Sequence, residues 1–110
     1  MSYQHKELAD GRWFELSFPA QMANIGSEVI RTINWKNKKN PEYSQKAFER
    51  ALELLSLTID DAKNKKRLRE LTRLHEVLAD YFAFDNEYKS TDKSWQNYFF
   101  AFNYLSRISY

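Results

Sequence analysis

Six cations stand close together in this sequence, Lys63, Lys65, Lys66, Arg67, Arg69 and Arg73, with Glu70 the only acid between them. Six positive charges against one negative give this segment +5, in a chain whose formal net charge is +2. They fall at the beginning of a helix, where the dipole disfavours cations. Free backbone N–H groups at such an end attract anions, so a phosphate or an RNA backbone is what this patch could hold. No glycine-rich cradle accompanies it, so it is not a phosphate-loop motif. The competing reading is a solvated face partly neutralised by Asp60, Asp61 and Glu70. Trp35 could add a ring. In a straight helix it shares an outward row with Asn24, Glu28 and Arg31, where it either stacks on Arg31 or offers its face to a base, nucleotide or partner chain.

His75 projects inward with Leu71, Leu78 and Phe82 at helical spacing, and the other histidine, His5, sits near the N-terminus. A buried imidazole needs a partner for each ring nitrogen. It therefore reads as a core or interface histidine tied to a carboxylate or carbonyl. Metal chemistry is not expected. The sequence has no cysteine. Glu49 and Glu53 form an outward i,i+4 pair, whereas a metal-binding bundle needs several inward glutamates and Glu-x-x-His. No cofactor is expected either.

The segment Arg69-Glu70-Leu71-Thr72-Arg73-Leu74-His75 is similar in spacing to the arginine–histidine motif of HEPN proteins. These are small helical bundles that dimerise, and many cleave or bind RNA, often beside a nucleotidyltransferase partner. The resemblance implies that Arg69 would clamp a phosphate and His75 would act as acid or base. The whole chain also resembles a small prokaryotic helical family. Its carriers are Ala23-Asn24-Ile25-Gly26-Ser27-Glu28-Val29 and Ala47-Phe48-Glu49-Arg50-Ala51-Leu52-Glu53-Leu54-Leu55. This second resemblance implies no site residues.

The elements that position these groups are helices. Two glycines and two prolines in 110 residues leave little room for turns, and such a chain makes one domain. Residues 1–12 have no period and end at Asp10-Gly11, so they read as a flexible arm, with Trp13, Phe14 and Leu16 tacking its end to the core. Residues 13–110 form the domain. Ser17 caps a first helix, with Pro19 in its first turn. Phe18, Met22, Ile25, Gly26, Val29 and Ile33 make its inner stripe. Gly26 there lets another backbone approach. Asn40 caps the second helix, with Pro41 at its first position. Ala47, Phe48, Ala51, Leu52, Leu55 and Ile59 face inward, with Tyr43 and Leu54 at the flank.

The third helix is expected from about Lys63 to Phe82, with Leu68, Leu71, Leu74, Leu78, Tyr81 and Phe82 inside. A polar link over residues 85–91 precedes a fourth helix capped by Ser90 or Thr91. There, Trp95, Tyr98, Phe99, Phe102 and Leu105 make the core face. Phe100, Tyr104 and Ile108 make a second apolar line on the opposite side. A helix apolar on two faces is buried all round or shared between chains.

The pattern predicts an all-α, up-down-up-down four-helix bundle that forms a homodimer through Phe100, Tyr104 and Ile108. The alternative is that the N-terminal arm folds over these residues. Function then reads as a non-catalytic binding or regulatory module, with a protein partner favoured over nucleic acid. The HEPN-like alternative is RNA cleavage or binding through Arg69 and His75. With no positively charged leader followed by an apolar stretch at the N-terminus, and no apolar run near the roughly 20 residues a bilayer demands, no membrane partner is expected and a cytoplasmic address is the expectation.

Overall fold

A computed structural model of the chain describes residues 11–108, except for the side chain of Ile108. It is an all-α fold of four helices, and no strand occurs among the described residues. We label them α1 (Phe18–Asn37), α2 (Pro41–Asp60), α3 (Leu68–Ala83) and α4 (Asp92–Ile108). Of the arm expected over residues 1–12, residues 1–10 lie outside the description. Arg12 already belongs to a 3-10 turn, Arg12–Glu15.

Local chemistry sets the helix ends. Ser17 accepts a hydrogen bond from the Ala20 N–H at 3.3 Å, with Pro19 in the first turn. At the other end of α1, Lys39 takes a left-handed conformation (φ 60). The Asn40 N–H then donates to the Trp35 carbonyl at 2.9 Å, and the Lys39 N–H to that of Lys36 at 3.0 Å. This double closure satisfies carbonyls that a helix end leaves open. Asn40 also opens α2, its side chain accepting from the Tyr43 N–H at 3.1 Å. Thr91 and Ser94 cap α4 reciprocally: the Thr91 hydroxyl accepts from the Ser94 N–H at 3.0 Å, and the Ser94 hydroxyl from the Thr91 N–H at 2.9 Å.

The third helix differs from its expected start at Lys63. Ala62–Arg67 is wound as a 3-10 turn, and α-helical geometry begins only at Leu68. The cause is Asn64, which is turned into the fold at 2% exposure. Its amide donates to Gln21 Oε1 and to the Thr58 carbonyl, both at 2.9 Å. Asp61 caps the turn through the Lys63 N–H at 3.1 Å. Gln21 completes the knot by donating to Asp61 at 2.8 Å and to the Trp13 carbonyl at 3.1 Å. Trp13, fully buried, donates its indole N–H to Thr58 Oγ1 at 3.0 Å. Each of these buried polar groups has a partner, as a low-dielectric interior demands.

The core gathers Met22, Ile25, Val29 and Ile33 of α1 with Leu55 of α2, Leu71 and Leu78 of α3, and Trp95 and Phe99 of α4. Several expected positions shift. Leu54 and Leu57 are buried, because α2 packs against both α1 and α3 and needs a wider apolar arc. Leu52 and Ile59 are only half-buried. Leu68 is exposed because it opens α3 instead of lying within it. Phe102 meets Phe18, the first residue of α1, edge-on at 5.9 Å. Leu105 lies almost a turn further along and is exposed. Trp13 and Leu16 pack on the core, whereas Phe14 does not.

Glu28, expected on an outward row, is buried instead. Two arginines compensate it, Arg31 at 2.7 Å and Arg50 at 3.2 Å.

Candidate functional site

The outer face of α4 carries the largest exposed rings of the helices. Phe100 and Tyr104, one turn apart, are 71% and 61% exposed. Neither Trp13 nor Phe14 is placed to cover them: Trp13 is tied to Thr58, and the Phe14 carbonyl to Lys63 Nζ at 3.1 Å. Ile108, the third residue of the expected line, has no described side chain. Beside Phe100 runs a shallow groove between α1 and α4, lined by Gly26, Ser27, Ile30, Gln96, Phe99, Phe100 and Asn103. None of these is charged. The neutral stretch is longer still, because no ionisable acid or base other than tyrosine occurs from Ser94 to Ser106 in a chain that is 29% charged. This absence of charge was readable in the sequence and is a sharper signal than the ring count.

On the inner side of α4, Tyr98 reaches Glu70 of α3 with its hydroxyl at 3.4 Å. Burial, helped by the Glu70 carboxylate, pushes this phenol up to about 12. Trp95 is buried and its indole N–H has no hydrogen-bond partner among the described residues. Its neighbours there are rings, Tyr98 at 6.2 Å and Phe99 at 6.1 Å.

The cations of the basic segment are all exposed, and several are engaged by neighbours. Lys63 is paired with Asp61 and Phe14. The Arg67 guanidinium lies over the Phe18 ring at 4.2 Å, and that of Arg73 over Tyr88 at 5.0 Å. Lys65 and Lys66 are exposed. Arg69 and Arg73 line an open cleft on α3 that also contains Glu70, Thr72 and Glu76, so acid and base alternate along it.

Arg69 and His75 both lie within α3, which is continuous from Leu68 to Ala83. Six residues at ~100° each leave the two side chains about 120° apart around the axis and more than one turn apart along it, away from a common point within one chain. His75 is half-buried. The carboxylate or carbonyl partner expected for it is not found among the described residues, and its partial exposure lets water take that place.

Trp35 does not stack on Arg31, which is committed to Glu28. It packs edge-on against Tyr43 at 4.9 Å, with Lys38 Nζ 5.2 Å from its ring centre. At the same pole, Lys36 and Asn37 from the end of α1, Tyr81 from α3 and Asp92 from the start of α4 form a knot. Asp92 accepts from Lys36 at 2.7 Å, from Asn37 at 3.2 Å and from Tyr81. Burial alone would raise the Asp92 pKa, but these donors outweigh it and hold the carboxyl below its usual range. Burial likewise opposes the charge on Lys36, and its bonds to Asp92 and Tyr81 reverse that effect.

No group of histidine, aspartate or glutamate side chains among the described residues is arranged to hold a metal ion. No described helix is long and apolar enough to cross a membrane. Comparison with protein-family models, with curated proteins and with solved structures found no match.

Proposed function

We propose that the chain is a self-associating helical binding module, two copies meeting through the outer face of α4. The observation that carries this reading is the exposed pair Phe100 and Tyr104 beside an uncharged groove. A ridge and a hollow on one face suit a two-fold contact, in which each copy offers the same surface to the other. Neutral lining means that like charges do not meet at the centre of that contact. Burying both rings contributes on the order of 4 kcal/mol per copy before association costs are subtracted.

In the arrangement we propose, successive helices alternate in direction. It is supported by the knot of Lys36, Tyr81 and Asp92, which joins the end of α1, the end of α3 and the start of α4. The network of Gln21, Thr58 and Asn64 supports it from the other pole.

Light scattering on the wild type and on Phe100→Glu/Tyr104→Glu tests the reading. The expected result is a wild-type dimer and a variant monomer with unchanged helical circular dichroism. A wild type that stays monomeric at about 100 μM, or a variant of unchanged mass, overturns it.

A further inference from the structure

We infer that a pocket at the pole where α1 ends and α2 begins binds a small anion carrying a flat apolar body. The pocket has a volume of about 270 Å³, at the small end of ligand sites and suited to a one-ring molecule. Its wall is two rings, Phe48 of α2 and Phe82 of α3, with centroids 5.4 Å apart and planes tilted by 49°. Its rim carries two ammonium groups, Lys36 and Lys39, and none of its lining residues is acidic.

Counting donors shows which groups remain for a ligand. The hydroxyls of Ser44 and Tyr81 already donate, to the Thr32 carbonyl and to Asp92. Lys36 spends two N–H groups on Asp92 and Tyr81 and keeps one. Gln45 donates to Glu49 at 3.3 Å and keeps one amide hydrogen. The Lys39 ammonium has no ion-pair or hydrogen-bond partner among the described residues, so none of them takes up its three donors. Lys36 is neutralised by Asp92, which leaves Lys39 as the lining charge with no counter-ion among the described residues. An anionic head at the lysines with its body against Phe48 and Phe82 satisfies both halves of the site. Carboxylate and phosphate heads share this chemistry, and titration with each separates them.

Lys39 also makes the test clean. It occupies a left-handed position (φ 60) where glycine is the natural residue. Lys39→Gly therefore removes the ammonium while keeping or improving the fold. The experiment is ¹H–¹⁵N chemical-shift titration of the full chain with benzoate, phenyl phosphate and the neutral benzyl alcohol.

At least one anion is expected to give saturable shifts around residues 36–48 and 81–82, with a Kd on the order of 1 mM. Benzyl alcohol should bind about tenfold more weakly, and Lys39→Gly should weaken the anion about tenfold. Benzoate alone binding assigns a carboxylate site, and phenyl phosphate alone a phosphate site. No saturable shift with either anion up to about 20 mM overturns the inference. So does equal binding of benzyl alcohol, or unchanged affinity in a folded Lys39→Gly.

Discussion

Gly26 of α1 lies directly under Phe99 of α4, so close that a Cβ built at Gly26 would fall 2.7 Å from the Phe99 Cβ. The contact is with the root of the phenylalanine and not its flexible tip, so the ring cannot swing clear. Gly26→Ala must therefore separate the two helices. It gains helix propensity of about 1 kcal/mol, but overpacking costs about 1–3 kcal/mol. The expected net result is destabilisation in urea, larger for Gly26→Val. An alanine variant as stable as the wild type would mean that the helices yield freely here.

The sequence placed Gly26 on the inner stripe without showing what would meet it. Caps were readable because they are local: Ser17, Asn40 with Pro41, and Thr91 need only their own neighbours. Leu68 and Leu105 were misplaced because exposure at a helix end depends on how far the packed neighbour extends. Buried polar residues were missed for a different reason. Gln21, Ile25, Glu28 and Thr32 share one helix face, and a polar residue there reads as outward unless its distant partner is known. Those partners include Asp61 and Asn64 for Gln21 and Arg50 for Glu28, all far away in sequence. The exposed Phe100 and Tyr104 were legible because two apolar stripes on one helix exceed what one core can cover. His75 was legible only as an apolar-stripe position.

Asn64 and Gln21 should behave as one unit. Asn64→Leu leaves the Gln21 carbonyl and the Thr58 carbonyl buried without that donor, a cost of about 1–3 kcal/mol each. It also removes the contact that winds residues 62–67 into a 3-10 turn. A double-mutant cycle with Gln21→Leu should give a coupling energy above about 1 kcal/mol in urea unfolding. Simple additivity would show that the network is not cooperative.

Trp95→Phe should be unusually mild for a buried tryptophan. The indole N–H has no partner among the described residues, so the substitution removes an uncompensated polar group together with packing area. An orphan donor costs about 1–3 kcal/mol, comparable to the loss from the smaller ring. Urea unfolding should therefore shift by less than about 1 kcal/mol. Trp13→Phe breaks the bond to Thr58 at 3.0 Å and should cost clearly more. Reversal of that order would refute the assignment of the two indoles.

Acid should loosen both poles, through Asp61 at one and Asp92 at the other. Both carboxyls are held below their usual range, against the opposing effect of burial. Lys63 and Gln21 do so at Asp61, and Lys36, Tyr81 and Asn37 at Asp92. A depressed folded pKa means that the unfolded chain binds protons first as pH falls. The stabilisation is therefore fully present above the unfolded carboxylate value of about 4 and declines as pH drops through the lower folded values. Asp61→Asn and Asp92→Asn should each reduce stability at pH 7 and flatten the acid limb, measured as urea midpoints between about pH 2 and 7. The Lys36–Asp92 pair is partly exposed, so salt should weaken its share more than that of the buried Asp61. An acid limb unchanged in both variants would place the titrating groups elsewhere.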